Sequence, residues 1–208
     1  MKIDQVFEKN QEWVKSKLDL DAEYFPNLAK GQSPEMLYIG CSDSRVTAEE
    51  LMGAGPGEMF VHRNIANMVS NLDLSSMSAI NFAVVHLKVK HIVVCGHYYC
   101  GGIKAALDSK DLGILNPWLR NIRDVYRTHS EELNAIEDEE KKNKRLVELN
   151  VEEQCFNVLK TAEVQLAYQK GDIQVHGWVF DIHSGHLIDL NIDYKAAFER
   201  IREIYQIA

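Results

Sequence analysis

Short apolar runs alternate with longer amphipathic stretches along this chain. Residues 36–39 and 91–95 are almost wholly apolar, which predicts strands buried on both faces. Residues 58–61 predict another short strand. Residues 173–180 alternate in polarity, and the turn sequence at 183–185 separates them from a second run at 187–190, which together predict a β-hairpin.

Helical periodicity fills much of the remaining sequence. Helices are predicted over residues 3–18, 75–88, 101–107, 118–127, 146–170 and 194–207. Thr47 and Glu50 have the spacing of a capping box and predict a short helix there. The charge-rich segment 131–145 indicates a solvated helix face or a surface excursion. A strand–helix–strand order across 58–95 predicts an α/β fold with a mostly parallel central β-sheet flanked by helices.

The first predicted helix leaves two interpretations open. Its apolar positions, among them Val6, Phe7 and Val14, lie on one face, and Trp13 widens that face. This face would pack either on its own domain or, as an N-terminal helical arm, on a partner subunit. We expect one domain over residues 1–208, with the arm at 1–30 and the α/β core at 31–208.

Composition narrows the class of protein. The 208 residues are 46% hydrophobic and 26% charged, as in ordinary globular domains. A net charge of −8 disfavours nucleic acid and anionic membranes as partners. No segment has the length of a membrane span and the first residues lack a signal-peptide pattern, so we expect a cytoplasmic protein with reduced cysteines.

Candidate chemistry follows two of the predicted strands. Cys41 and Asp43 come directly after the first strand, and His97 and Cys100 follow the strand at 91–95. If these strands are parallel neighbours, the four side chains meet at one sheet edge. Two thiolates and an imidazole form a plausible zinc site. The alternative is two buried thiols and a hydrogen-bonded turn histidine; Cys95 and Cys155, in apolar surroundings, are predicted to be inert.

The role of Asp43 decides what kind of zinc site this is. With Asp43 as fourth ligand the site is closed, as in structural zinc sites, whereas water in that position makes a catalytic site. Arg45 is spaced to form a bidentate pair with Asp43 and hold it off the metal. Both forms remain possible at this point, including a switch between them.

Several motifs in register resemble the β-class carbonic anhydrases. They are CSDSR at 41–45, GEMFVHRNIAN at 57–67 and IVVCGHYYCGGIK at 92–104, with a weaker likeness in HGWVFDIHSG at 176–185. The resemblance implies one Zn²⁺ per chain, held by Cys41, His97 and Cys100, with Asp43 a fourth ligand or paired with Arg45. It implies reversible hydration of CO2 to bicarbonate and a proton, by attack of zinc-bound hydroxide.

The resemblance also implies a substrate pocket and an assembly. Gln32 and the Gly102 amide would bind substrate, and Phe60, Ile65 and Phe82 would form the apolar CO2 pocket, partly across a dimer interface. The chain would be a homo-oligomer, a dimer or a dimer of dimers, with the N-terminal arm on the partner.

One departure from the family pattern concerns regulation. Some bacterial members bind inhibitory bicarbonate through a Trp, an Arg and a Tyr, where this chain has Tyr38, Arg63 and Phe180. We therefore expect bicarbonate inhibition to be weak or absent. Two other functions are alternatives: a non-catalytic zinc protein that acts through a protein partner, and a hydrolase of carbonyl sulfide or carbon disulfide.

Overall fold

A five-stranded sheet forms the centre of the computed structural model, which describes residues 2–205 and 207. Its strands are β1 (Met36–Cys41), β2 (Met59–Asn64), β3 (His91–His97), β4 (Gln174–Asp181) and β5 (His186–Asp189). The order across the sheet is β2-β1-β3-β4-β5. All pairings are parallel except that of β4 with β5, which is antiparallel. The predicted α/β class is confirmed.

Ten α-helices occupy the described part of the chain. They are α1 (Val6–Leu20), α2 (Tyr24–Leu28), α3 (Ala48–Met52), α4 (Leu74–Asn81), α5 (Gly101–Leu107), α6 (Leu115–Thr128), α7 (Ser130–Asn134), α8 (Glu139–Leu159), α9 (Ala162–Lys170) and α10 (Tyr194–Ile204). Single 3₁₀ turns lie at Ile3–Gln5 and Ile65–Asn67, and α4 continues as a π-helix over Phe82–Leu87. No described helix is long and apolar enough to cross a bilayer.

The two faces of the sheet are covered very differently. One face carries Leu37, Ile39, Ile92 and Val94 into the main core, to which the long helix α8 contributes much of the packing. The other carries a small cluster built on Tyr38, Ala48, Val93 and Cys95, with Trp178 and Phe180 only partly buried against it. Apolar surface of this face therefore remains in contact with solvent in the single chain.

Several predicted boundaries were wrong. The strands β1 and β3 extend through Cys41 and His97, so these two candidate ligands lie at strand ends rather than in loops. The helix predicted over 146–170 is two helices, α8 and α9, and α8 begins inside the charged segment 131–145. Thr47 is the N-cap of α3, but its hydroxyl donates to the Glu50 carboxylate instead of capping the backbone, so the capping box does not form.

The helix α8 packs so closely on β3 that the strand needs a glycine there. A β-carbon at Gly96 would lie 2.6 Å from Val151 Cγ2 and 3.3 Å from Val147 Cγ1. Both neighbours are β-branched and have little rotamer freedom in a helix. Gly96 thus sets the distance between α8 and the end of β3 that carries His97.

We expect Gly96→Ala to lower the free energy of unfolding by about 1–3 kcal/mol, the usual cost of overpacking a core. Thermal unfolding at a fixed protein concentration measures the loss. Gly55→Ala is the matched control, since its nearest side-chain atom would lie 3.7 Å away. Equal melting temperatures for the two variants would contradict the close packing described here.

Candidate metal centre

Parallel pairing of β1 and β3 brings Cys41, His97 and Cys100 together. Gly40 pairs with Cys95 in the sheet register, so the last residues of the two strands lie side by side. Cys100 follows β3 after a short turn and is the N-cap residue of α5. Tyr99 within that turn has a positive φ of 60°, which turns the chain back toward the sheet. The structure thus brings three of the four predicted side chains, Cys41, His97 and Cys100, together at one sheet edge.

The three ligand atoms form a tight, buried triangle. They lie within 4.8 Å of one another, with the two sulfur atoms 3.9 Å apart. Cys41, His97 and Cys100 are 6%, 1% and 4% exposed, respectively. Two thiols and an imidazole at this separation are a ligand set suited to zinc.

His97 is held with one ring nitrogen available to the centre. Its Nδ1 lies 3.0 Å from the Tyr98 carbonyl oxygen, which can only accept, so Nδ1 carries the proton. The other nitrogen, Nε2, is buried and has no hydrogen-bond partner among the described residues. A buried polar atom without a partner is costly, and a metal ion would satisfy it. The residues present therefore fit zinc.

Hydrogen bonds favour ionisation of Cys41. The Cys100 thiol hydrogen bond is the largest cause lowering the pKa of the Cys41 thiol, and the neighbouring His97 ring and the Ala66 amide lower it further. The Ala66 amide donates to Cys41 Sγ at 3.4 Å. A thiolate, rather than a thiol, is the form that binds a metal.

Asp43 is paired with Arg45 instead of joining the triangle. Arg45 donates from Nε to Oδ1 at 2.9 Å and from Nη2 to Oδ2 at 2.7 Å, and its backbone amide donates to Oδ1 at 3.0 Å. These bonds hold the pKa of the Asp43 carboxyl far below its usual value. Oδ2 of Asp43 still lies only 3.7 Å from His97 Nε2, at the edge of the site.

Arg63 holds the loop between β1 and α3. Its guanidinium donates to the carbonyl oxygens of Cys41, Asp43 and Val46 at 2.9, 2.7 and 2.6 Å. Arg63 was predicted only as part of a bicarbonate site. Its contact with three backbone carbonyls could not be recognised from sequence, because carbonyl direction depends on the loop conformation.

The predicted substrate residues separate into two groups. Ile65 and Gly102 lie beside the triangle, and a β-carbon at Gly102 would come within 2.9 Å of Ile65 Cγ2. Gln32, Phe60 and Phe82 lie elsewhere. Gln32 lines a surface cavity with Met36 and Met59, the first residues of β1 and β2.

The length of a strand separates that second group from the triangle. Six residues of β1 span about 17 Å at roughly 3.3 Å per residue, and Gln32 precedes the strand. Phe60 pairs with Leu37 near the same amino end, and its ring centroid lies 5.6 Å from that of Phe82. These three residues therefore do not meet Cys41 and His97 of their own chain.

The three residues at the candidate regulatory site, Tyr38, Arg63 and Phe180, provide few free hydrogen-bond donors for an anion. Tyr38 is 1% exposed and packs with Cys95, while Phe180 has no hydroxyl group. The Arg63 guanidinium is already bonded to the three carbonyls described above.

Sequence reasoning missed the contribution of Ala66 altogether. Its backbone amide, not its side chain, contacts Cys41, and an alanine in a sequence gives no signal of that contact.

Known carbonic anhydrases resemble this chain over most of its length. A carbonic anhydrase family profile matches residues 36–187. A carbonic anhydrase of Emericella nidulans is 62% identical over 205 residues, covering 98% of this chain and 90% of that protein.

Solved structures similar to this chain identify the class of carbonic anhydrase. The β-carbonic anhydrase CafA of Aspergillus fumigatus superposes with a TM-score of 0.93 at 41% identity, over 100% of both chains. A tetrameric β-carbonic anhydrase of Sordaria macrospora superposes with a TM-score of 0.86 at 42% identity, over 89% of this chain and 95% of that one. With two cysteines and a histidine at the carboxyl edge of the sheet and an acidic residue paired to an arginine beside them, this chain belongs to the β-carbonic anhydrase family.

Proposed function

We propose that this protein catalyses the reversible hydration of CO2 to bicarbonate and a proton, with one Zn²⁺ per chain held by Cys41, His97 and Cys100. The observation that carries the proposal is the buried triangle of ligand atoms with Asp43 drawn aside by Arg45. When bound, zinc supplies a nucleophile at neutral pH because it lowers the pKa of water to about 7.

The Asp43–Arg45 pair supports a catalytic rather than a structural site. Asp43 is ionised and accepts hydrogen bonds only, so it can accept one from the attacking water and direct the water's lone pair toward the carbon of CO2. Arg45 keeps the carboxylate in that role and out of the fourth metal position. A permanently closed zinc site would need no guanidinium beside its carboxylate, so the geometry does not favour the non-catalytic alternative.

The remaining residues bind and orient the substrate. Ile65 supplies apolar surface suited to CO2, which has no net dipole. The Gly102 amide and Gln32 would donate to a substrate oxygen as negative charge develops on it. The proton lost from water leaves to buffer.

Gln32, Phe60 and Phe82 would complete the site of a second subunit. Their distance from the triangle of their own chain supports a homodimer in which each chain lends these residues to its partner. The helix α1 buries no residue against its own chain, and Phe7 is 80% exposed. In this proposal residues 1–30 are the arm of a single domain, residues 31–208 are its core, and α1 packs on the partner.

Dimers would pair further, as in the tetrameric Sordaria enzyme. We also propose a cytoplasmic location, which the four free cysteines support because reducing compartments keep thiols unpaired.

Arg45→Ala tests the proposal against the wild type. We expect the wild type to hold one zinc per chain and to hydrate CO2 rapidly in stopped-flow measurements. The variant should keep its zinc but lose roughly a hundredfold or more in kcat/KM, because Asp43 is then free to take the fourth metal position.

Arg127→Ala is the matched control, since this exposed arginine pairs with Asp124 of its own helix and lies outside the site. Full zinc content without turnover in the wild type would reject the catalytic proposal. Loss of zinc from Arg45→Ala would instead reject the role given to Arg45.

A mixed dimer tests whether the site is shared. Gln32→Ala and Arg45→Ala homodimers should both be strongly impaired. A dimer with one chain of each kind has one site with both residues intact if Gln32 acts across the interface, so about half of the wild-type activity should return. Differently tagged chains allow purification of the mixed species, and activity no higher than that of the parents would contradict the shared site.

Bicarbonate should not inhibit this enzyme cooperatively. Tyr38 is buried, Phe180 lacks a donor and the Arg63 guanidinium is engaged, so no strong anion site remains at these positions. CO2 hydration at acid pH is measured with increasing bicarbonate, using chloride at equal ionic strength as control. A sigmoidal loss of rate specific to bicarbonate would show that this expectation is wrong.

A further inference from the structure

The turn that follows β2 has an unfavourable backbone conformation beside the metal centre. Ala66 has φ 63° and ψ 34°, and Asn67 has φ 48°. Two consecutive residues with a β-carbon in the left-handed region are uncommon, because the β-carbon crowds the following carbonyl oxygen. Such a conformation persists only where its surroundings hold it.

This conformation directs the Ala66 amide at a metal ligand. The amide hydrogen points at Cys41 Sγ, with nitrogen and sulfur 3.4 Å apart, and Ala66 is completely buried. A hydrogen bond to a metal-binding thiolate orients the sulfur toward the metal and changes the charge that the sulfur donates. The backbone angles of the turn therefore determine how strongly Cys41 is hydrogen-bonded.

Two buried amides of α8 hold the far side of the turn. Asn150 donates from Nδ2 to the Ala66 carbonyl oxygen at 3.1 Å. Gln154, one helical turn later, donates to Asn150 Oδ1 at 3.2 Å and accepts from the Val69 amide at 2.8 Å. Asn150 and Gln154 are both about 1% exposed and lie among apolar residues of the same helix.

A third donor reaches the turn from α6. The indole Nε1 of Trp118 donates to the Ile65 carbonyl oxygen at 2.9 Å. The carbonyl oxygens of Ile65 and Ala66 thus both accept hydrogen bonds from side chains of other helices. These contacts fix the peptide planes on both sides of the Ala66 residue.

We propose that Asn150, supported by Gln154 and Trp118, is a positioning residue for the metal centre: it holds Ala66 in the left-handed conformation so that its amide hydrogen-bonds Cys41. Burying two amides inside an apolar helix face is costly unless both are fully bonded. Here Asn150 bonds the Ala66 carbonyl oxygen and Gln154 bonds the Val69 amide, both in the segment beside the metal ligand Cys41. The inference rests on the proposed zinc site.

Asn150→Leu removes the donor to Ala66 while keeping a similar side-chain volume. We expect the variant to fold and bind zinc, but to release the metal to a chelator about ten times faster, the usual effect of losing a partner that orients a metal ligand. In the Co²⁺-substituted protein, the thiolate-to-cobalt charge-transfer band should also shift, because Cys41 loses its hydrogen bond.

Gln165→Leu is the matched control. This amide, in α9, is similarly buried at 3% exposure but makes none of the contacts with the turn. It should fold and leave both zinc release and the cobalt spectrum unchanged. If Asn150→Leu does not fold, Trp118→Phe removes one indole donor from the partly exposed surface and should shift both readouts in the same direction by a smaller amount.

The outcomes separate this inference from the zinc proposal. A wild type that shows no thiolate-to-cobalt band would reject the metal site itself. A wild type with the band, together with a folded Asn150→Leu or Trp118→Phe variant whose band and zinc release match the wild type, would overturn the positioning role alone.

Discussion

The parallel pairing of β1 with β3 is the constraint on which the rest of this structure depends. Parallel neighbours end at the same edge of a sheet, so Cys41 and His97 meet although 55 residues separate them in the sequence. The close approach of α8 at Gly96 fixes the strand end, and the turn at Tyr99 returns Cys100 to the same point. The candidate metal centre is therefore a consequence of strand register.

The polar groups around the centre form successive layers of support. Nδ1 of His97 bonds the Tyr98 carbonyl, Asp43 bonds Arg45, and the Cys41 thiol accepts from Ala66. Each of these groups is held in turn by others, such as Arg63 on the loop and Asn150 on the turn. Cys41, His97 and Asn150 are buried, so the hydrogen bonds they make are stronger than in water and an unmade bond there is more costly, whereas Arg45 is half exposed to solvent.

Strand direction brings the candidate metal ligands together, but it also separates them from part of the predicted substrate pocket in the same chain. Gln32 and Phe60 lie at the amino ends of the strands, while the ligands lie at the carboxyl ends. The helix α1 is exposed in the single chain. On one face of the sheet, the small cluster around Tyr38 and Val93 packs mainly against α3. Both regions leave apolar surface that another subunit could cover. A dimer would bury that apolar surface, and it would also bring the amino-end residues of one chain to the ligands at the carboxyl ends of the other chain's strands.

The sequence by itself determined the α/β class, the types of the candidate ligands and their place at one edge of the sheet, and the family. These follow from local patterns: apolar runs at 36–39 and 91–95, followed at once by Cys41, Asp43, His97 and Cys100. Spacing also placed Arg45 within reach of Asp43, but it could not choose between the paired and metal-bound carboxylate. That choice depends on side-chain geometry, and in the structure Asp43 forms an ion pair with Arg45.

Only the tertiary structure decided what depends on contacts distant in sequence. Three such features depend on backbone groups, which are the same in every residue. They are the hydrogen bonds from Arg63 to three carbonyl oxygens, the left-handed turn at Ala66, and the side-chain amides of α8 that bond this turn. The division of the substrate residues between two ends of the sheet likewise follows from strand direction and register. Local sequence patterns record side-chain chemistry and periodicity, whereas the direction of a carbonyl or an amide is set by the packed fold.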